Sequence, residues 1–253
     1  MTVEVDLSGR NAVVTGGGKG IGREICLALG KAGANVFGVS RTEADLRIVG
    51  DEVKRLGVRF GHLVADLRNV QVAEQIASAA SNALGGIDIL VNNAGVADNA
   101  PAEQVTEEQW NATMDINVKG AFFLSQAIGK QMLQRGRGRI INVSSQAGMV
   151  ALEIHAAYGA SKAALGMITR VLALEWGGRG VTVNAVAPTV ILTPMGERVW
   201  GDPIKAQPML DRIPMGRFGR PPEVASVITF LASDMASLIN GAVIAVGGGY
   251  TAH

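Results

Sequence analysis

The sequence predicts a doubly wound α/β fold, and three observations carry that reading. Short apolar runs recur along the 253 residues, stretches of helical period separate them, and a glycine-rich turn follows the first run. The runs are continuously apolar rather than alternating, as parallel strands covered on both faces are.

Each element has its own signal. Asn11–Thr15 reads as a first strand, Gly16–Gly22 as a turn and Ile21–Leu29 as a helix. Asn35–Val39 is a second strand, followed by a charged helix over about 42–56. Phe60–Ala65 is a third strand ending at Asp66-Leu67, with a helix over roughly 70–84. Ile87–Val91 is a fourth strand that ends in Asn92-Asn93-Ala94-Gly95. Thr106 and Gln109 have the spacing of a capping box and open a long helix to about Leu133. Arg139–Val143 is a strand, Ala156–Trp176 a helix and Val181–Val186 a strand. Pro221 and Pro222 start a helix ending near Ser233, and Ala242–Val246 closes the set. Residues 188–220, rich in Pro, Met and Gly, show no clear period and read as a substrate lid. About seven parallel strands in one domain over 1–253 is the expectation.

Composition narrows the function. A hydrophobic content of 48% supports a large buried core. A net charge of +1 gives no electrostatic reason to expect nucleic acid or an anionic membrane surface as partner. The single cysteine, Cys26, excludes an intramolecular disulfide and suits a reducing compartment. No secretory signal is visible at the N-terminus, and no apolar run approaches the ~20 residues of a membrane span. A cytoplasmic location is therefore expected. The histidines, His62, His155 and His253, form no ligand spacing, so no metal is implied.

The glycine turn sits between a strand and a helix, where a doubly wound fold takes the pyrophosphate of a dinucleotide. Its spacing is G-x-x-x-G-x-G, with Gly16, Gly20 and Gly22, and with Lys19 and Ile21 inside it. At the end of the second strand an acidic residue would accept from a ribose diol and repel a 2′-phosphate. Ser40-Arg41 stands there instead. A hydroxyl and a guanidinium suit a phosphate, and Lys19 adds charge nearby. NADP(H) is favoured, with NAD(H) as the alternative. Asp66, with Leu67 beside it, is a candidate acceptor for the adenine amino group; a helix N-cap is the plainer role.

The chemistry gathers in residues 144–162. Tyr158 and Lys162 are four residues apart and share a helix face. A nearby ammonium lowers the pKa of a phenol that otherwise titrates near ~10. Ser144 and Ser145 end the strand just upstream. A hydroxyl, a tunable phenol and a lysine make a proton-transfer set for a carbonyl/alcohol couple.

Thr15–Gly22, Asn92–Gly95, Asn117, Ser145, Tyr158 and Lys162, in this order, resemble the short-chain dehydrogenase/reductase family over essentially the whole chain. The resemblance implies a Rossmann-type sheet of seven parallel strands, an NAD(P) cofactor and assembly as a homotetramer. It implies that the catalytic serine is the one 13 positions before the tyrosine, hence Ser145 rather than Ser144. Ser145 would hold the substrate oxygen, Tyr158 would exchange the proton, and Lys162 would bind the nicotinamide ribose and depress the Tyr158 pKa. Asn117 would hold a water linking Lys162 to solvent. Asn92 would brace the sheet, while Asn93, Ala94 and Gly95 would approach the cofactor. Pro188, Val190 and Thr193 would flank the nicotinamide. Thr189 follows Pro188 where the family often has glycine, so that turn must use other dihedrals.

Further matches favour the branch that reduces dicarbonyls and ketoses. They are Val39-Ser40-Arg41-Thr42-x-Ala44-Asp45-Leu46, Ser144-Ser145-Gln146, His155-x-x-Tyr158, Pro188-Thr189-Val190, Trp200-x-Asp202-Pro203, Lys205-Ala206 and Met209-Leu210-x-Arg212-Ile213-Pro214. Gln146 and His155 would face substrate hydroxyls and Trp200 would close the pocket. Gln146 could instead cap a turn, His155 could be a plain helix-entry residue, and Trp200 could pack the lid or an oligomer contact, the role also open to Trp110 and Trp176. The expected substrate is a small carbonyl compound or its polyol. The competing readings are an NAD-dependent polyol dehydrogenase, an acyl-carrier reductase docking through Arg212, Arg217 and Arg220, and a catalytically silent dinucleotide-binding scaffold.

Overall fold

A computed structural model describes residues 5–252, with the side chains of residues 195, 198 and 199 left aside. Its elements in chain order are β1 (Asn11–Thr15), α1 (Gly20–Lys31), β2 (Asn35–Ser40), α2 (Glu43–Lys54), β3 (Phe60–Val64), α3 (Val72–Leu84) and β4 (Ile89–Asn92). Then come α4 (Glu107–Met114), α5 (Ala121–Arg135), β5 (Gly138–Val143), α6 (Ala156–Trp176) and β6 (Val181–Pro188). The last are α7 (Pro194–Trp200), α8 (Pro203–Leu210), α9 (Pro221–Ala232) and β7 (Val243–Val246).

The seven strands form one sheet in the order β3-β2-β1-β4-β5-β6-β7, and every pairing is parallel. Register explains the two-sided core. Val13, Leu90, Ile140 and Val183 lie in one row across four strands and face α3, α5 and α6. Val14, Val91 and Ile141, one residue on, point to the opposite face and pack with α1, α2 and α9. A strand buried on both faces has no reason to alternate, which is why the runs read as continuous. The strand order reverses between β1 and β4, so a crevice opens over their carboxyl ends.

Two segments differ from the sequence reading. The long helix after Thr106 is interrupted at Asp115–Gly120 by one wide, π-type turn, and Asn117 sits in it. Such turns insert a residue into the helical ladder and re-aim side chains. Residues 188–220 contain two short helices, α7 and α8, each with proline in its first turn. Proline is favoured there and hides the helical period from a pattern search. Thr189 manages its turn with a negative φ; among the described non-glycine residues only Ile154 has a positive one, 59°.

Trp176 is also placed differently: it is 8% exposed and packs within the chain against Gly129. Trp110, by contrast, is 41% exposed.

The capping box is formed as read. The Thr106 hydroxyl accepts from the Gln109 amide at 3.2 Å, and Gln109 Oε1 accepts from the Thr106 amide at 3.0 Å. Thr106→Ala is expected to cost about 1 kcal/mol, read from the urea midpoint, with kcat/KM unchanged. An unchanged midpoint would remove this cap from the list of what holds α4 in place.

Candidate active site

The crevice over β1 and β4 is built by backbone fit. Gly16 and Gly20 have φ of 65° and 55°, a region that side chains rarely adopt. A Cβ on Gly22 would run into the Gly16 carbonyl and the Asn93 amide, so the turn and the helix start fit together only as glycines. Asn93 locks the turn to β4: its side-chain amide donates to the Thr15 carbonyl at 2.9 Å, and the Thr15 hydroxyl accepts from the Asn93 and Ala94 amides at 3.0 Å. No side chain caps the start of α1 and no acid lies in its first turn, leaving its amides to an anion. The groove of about 280 Å³ is lined by Gly16, Gly18, Lys19, Ser40, Arg41, Thr42, Asp45, Asp66, Leu67, Ala94 and Gly95, among others. Asp66 is held by Arg68 at 2.5 Å, which keeps its carboxyl below the usual range. Thr193 caps α7 and lies beside Gly20, bringing the lid against the phosphate turn. The donors and shape of this groove fit an NAD(P) dinucleotide.

Above the sheet, Tyr158 and Lys162 descend from α6 to the end of β5. Lys162 is 4% exposed, and its ammonium donates to the Val143 carbonyl at 2.8 Å. Burial pushes its pKa down to about 8. The ammonium is 5.6 Å from the centre of the Tyr158 ring. The phenol itself is pushed up, not down as the sequence reading expected. Its own burial outweighs the opposing hydrogen bond with Ser145, and the ammonium is engaged by Val143.

The two serines separate cleanly. Ser144 turns inward and donates to the Lys162 carbonyl at 3.0 Å. Ser145 stays at the cavity with Tyr158. Asn117, aimed by the wide turn, accepts from the Val96 amide at 2.9 Å and donates to the Val96 carbonyl and the Ser161 hydroxyl. Its side chain thereby ties the loop after β4 to α6. A Cβ on Gly95 would lie 3.2 Å from Asn117 Oδ1 and 3.3 Å from Lys162 Nζ, which explains the glycine. Asn92 bridges Ser125 and Asn142 and braces the sheet as expected.

Beside these residues lies a second cavity of about 380 Å³. Ser145, Gln146, His155, Tyr158, Val190 and Trp200 line it, so the three residues singled out for substrate meet at one place. Gln146 is 3% exposed and its Oε1 has no partner. His155 Nδ1 lies 2.6 Å from the Glu153 carbonyl, and its ring meets Tyr158 edge-on. Trp200 packs on Phe218 while facing the cavity. Thr189, Arg212 and Tyr250 also line it. The matches at 188–190 and 209–214 mark Thr189 and Arg212 as pocket or lid positions; sequence reasoning missed Tyr250, which lies some 90 residues after Tyr158 in the chain with no local motif to mark it. The Thr189 and Tyr250 hydroxyls, like Gln146 Oε1, are buried without a partner. Three orphan polar atoms around one cavity are costly unless a polar ligand or water answers them. Ile154, at the rim, holds the strained backbone noted above.

A family profile described as enoyl-(acyl carrier protein) reductase matches residues 16–251. The chain belongs to the short-chain dehydrogenase/reductase family. As a member of it, the chain is an NAD(P)-dependent oxidoreductase. It is 44% identical to the D-threitol dehydrogenase of Mycolicibacterium smegmatis, covering 99% of this chain and 97% of the relative. It is 43% identical to the L-xylulose reductase of Bos taurus, over 99% and 100%, and 40% identical to an NAD-dependent glycerol dehydrogenase of Listeria innocua, over 98% and 96%. A solved structure from Beutenbergia cavernae, described as an NAD(P)-dependent gluconate 5-dehydrogenase with bound NADP, superimposes with a TM-score of 0.92 at 40% identity, covering 98% and 99%. No helix among the described residues is long and apolar enough to cross a membrane.

The buried ammonium makes a pH prediction. Below about pH 8 the folded and unfolded chains both hold the Lys162 proton, and the burial penalty is fully present. Between about 8 and the ordinary 10.5 the unfolded chain binds more protons, so stability rises with pH. The native protein is expected to gain stability relative to Lys162→Met by up to about 3 kcal/mol across that range, measured by urea unfolding. A flat difference would contradict the buried, depressed ammonium.

Proposed function

We propose that the chain interconverts a small ketose or α-dicarbonyl and its alcohol or polyol, with NADP(H) as the favoured cofactor. The observation that carries the reading is the meeting of Ser145 and Tyr158 with Gln146, His155 and Trp200 around one cavity, next to the dinucleotide groove. The nicotinamide would supply or accept the hydride.

The chain's own residues do the rest. Ser145 Oγ and the Tyr158 hydroxyl hold the substrate oxygen. Tyr158 donates its proton as a carbonyl becomes an alcohol and takes it back in the reverse direction. Its raised pKa keeps the phenol protonated at neutral pH, the form needed for reduction. Lys162, near 8, can carry a proton at physiological pH and resupply the phenol. Asn117 holds the loop after β4 on α6, fixing the Lys162 side of the site, and would hold a water that links Lys162 to solvent. Lys162 would also bind the nicotinamide ribose. Pro188, Val190 and Thr193 would flank the nicotinamide, with Ile21 and the first turn of α1 at the pyrophosphate.

The unpaired polar atoms of Gln146, Thr189 and Tyr250 support a hydroxylated substrate over an apolar one. The names of the relatives, a threitol dehydrogenase and a xylulose reductase, agree with that. Ser40, Arg41 and Lys19 support NADP(H), while the glycerol dehydrogenase relative keeps an NAD-linked polyol dehydrogenase as the second reading. The acyl-carrier reading is weaker, because Arg217 is neutralised by Glu223 at 2.7 Å and Arg212 lies over the Tyr250 ring. The full set of Asn117, Ser145, Tyr158 and Lys162 argues against a silent scaffold.

The whole chain would act as one dinucleotide-binding and catalytic unit, with 188–220 as its lid, in the cytoplasm. Met167, Val171 and Leu174 form an exposed apolar stripe on α6, and Trp110 is exposed on α4, which packs on α6. That face supports self-association into a homotetramer.

Tyr158→Phe is expected to lower kcat/KM by about 10²–10⁴-fold, while NADPH still binds. The test is a panel of pentuloses, α-diketones, tetritols and pentitols with both cofactors. Turnover of ketoses or polyols by the native enzyme and its loss in the variant support the reading. Near-native turnover in the variant, or none in the panel by the native enzyme, overturns it.

A further inference from the structure

We propose that Asp45 sets how strongly the enzyme prefers NADP(H) over NAD(H), by competing with the 2′-phosphate for Lys19. The inference rests on the dinucleotide reading of the groove and adds a residue to it.

Asp45 stands in the first turn of α2, directly beneath the glycine turn. Its Oδ2 lies 3.0 Å from Lys19 Nζ; the carboxylate side chain is 18% exposed and the lysine 77%. The turn packs closely on the base of the Asp45 side chain. A Cβ on Gly18 would come within 2.9 Å of Asp45 Cβ and 3.2 Å of Ser40 Oγ. Asp45, Lys19, Ser40, Arg41 and Thr42 all line the same groove.

The neighbouring charges sharpen the point. Glu43 is paired with Arg47 at 2.7 Å, and Asp66 with Arg68 at 2.5 Å. The Ser40 hydroxyl is engaged by Thr42, accepting from its amide at 3.3 Å and donating to its carbonyl at 3.2 Å. Arg41 and Lys19 are therefore the cations facing the place where a 2′-phosphate would sit. One of them, Lys19, is already ion-paired with Asp45. An ammonium has three donors and can bridge a carboxylate and a phosphate. Bridging then sets two anions a few Å apart, at a cost of about tenfold in affinity for a partly solvated pair. A ligand with a free ribose 2′-hydroxyl does not meet this cost. A groove that carries both phosphate-binding cations and this carboxylate is tuned for modest, not absolute, discrimination.

The experiment compares binding of adenosine 2′,5′-bisphosphate and adenosine 5′-phosphate by calorimetry, together with NADPH and NADH by fluorescence, in the native protein and four variants: Asp45→Asn, Asp45→Glu, Lys19→Met and the double variant Lys19→Met with Asp45→Asn. Asp45→Asn keeps the shape and removes the charge. It is expected to tighten the bisphosphate and NADPH about tenfold and to change the other two ligands less than twofold. Asp45→Glu, which keeps the charge, should stay near the native ratio. In a Lys19→Met background the Asp45→Asn gain should fall below about threefold. An unchanged or lowered ratio in a folded Asp45→Asn, or an equal gain for all four ligands, overturns the role of Asp45 while leaving the dinucleotide site intact. Failure of the native protein to bind any of the four overturns the site and the inference together.

Discussion

The structure turns on one buried ammonium. Lys162 reaches from the second turn of α6 to the last carbonyl of β5 and is sealed there at 4% exposure. A charged group in that position is stable only if it is hydrogen-bonded, and Val143 supplies the bond. Much of the surrounding architecture follows from keeping it there. Ser144 returns a bond to the Lys162 carbonyl, Gly95 leaves room for the ammonium, and Asn117 holds the loop that carries Gly95. The wide helical turn at Asp115–Gly120, irregular if α5 is taken alone, is what carries Asn117 there.

The same ammonium links fold to chemistry. A parallel sheet brings the carboxyl ends of β1, β4, β5 and β6 to one edge, and α6 crosses that edge with Tyr158 and Lys162 on its inner face. The phosphate turn lies on one side of this point and the hydroxyl-lined cavity on the other. The proposed proton-transfer residues, the groove and the cavity thus meet at one strand end, with Trp200 of α7 and Met209 of α8 on the cavity wall. Burial sets the two titrating groups in useful directions: the phenol stays protonated, and the ammonium comes into range of a neutral-pH proton exchange.

Legibility in the sequence followed locality. The strands, the glycine turn, the capping box and the Ala156–Trp176 helix were readable because each is decided by neighbouring residues. The choice of Ser145 came from the family spacing, and the opposite orientation of Ser144 gives it a physical reason. What the sequence hid is non-local. The ion pair of Asp45 with Lys19 joins residues 26 positions apart, and Tyr250 reaches the cavity beside Tyr158 from beyond β7. The Tyr158 pKa ran against expectation because a sequence pairs the phenol with the lysine but does not show that desolvation outweighs the pairing or that Val143 engages the ammonium. The short lid helices were missed because proline opens both.

The central claim is direct hydride transfer at a carbon whose oxygen is held by Ser145 and Tyr158. Its most direct test uses NADPH deuterated separately at each of the two C4 positions, with a reducible ketose or α-diketone and mass analysis of the alcohol formed. One isotopomer should deliver its deuterium in full to the carbinol carbon and the other none. Deuterium shared between the two, lost to solvent, or absent from the product in both cases would contradict the account.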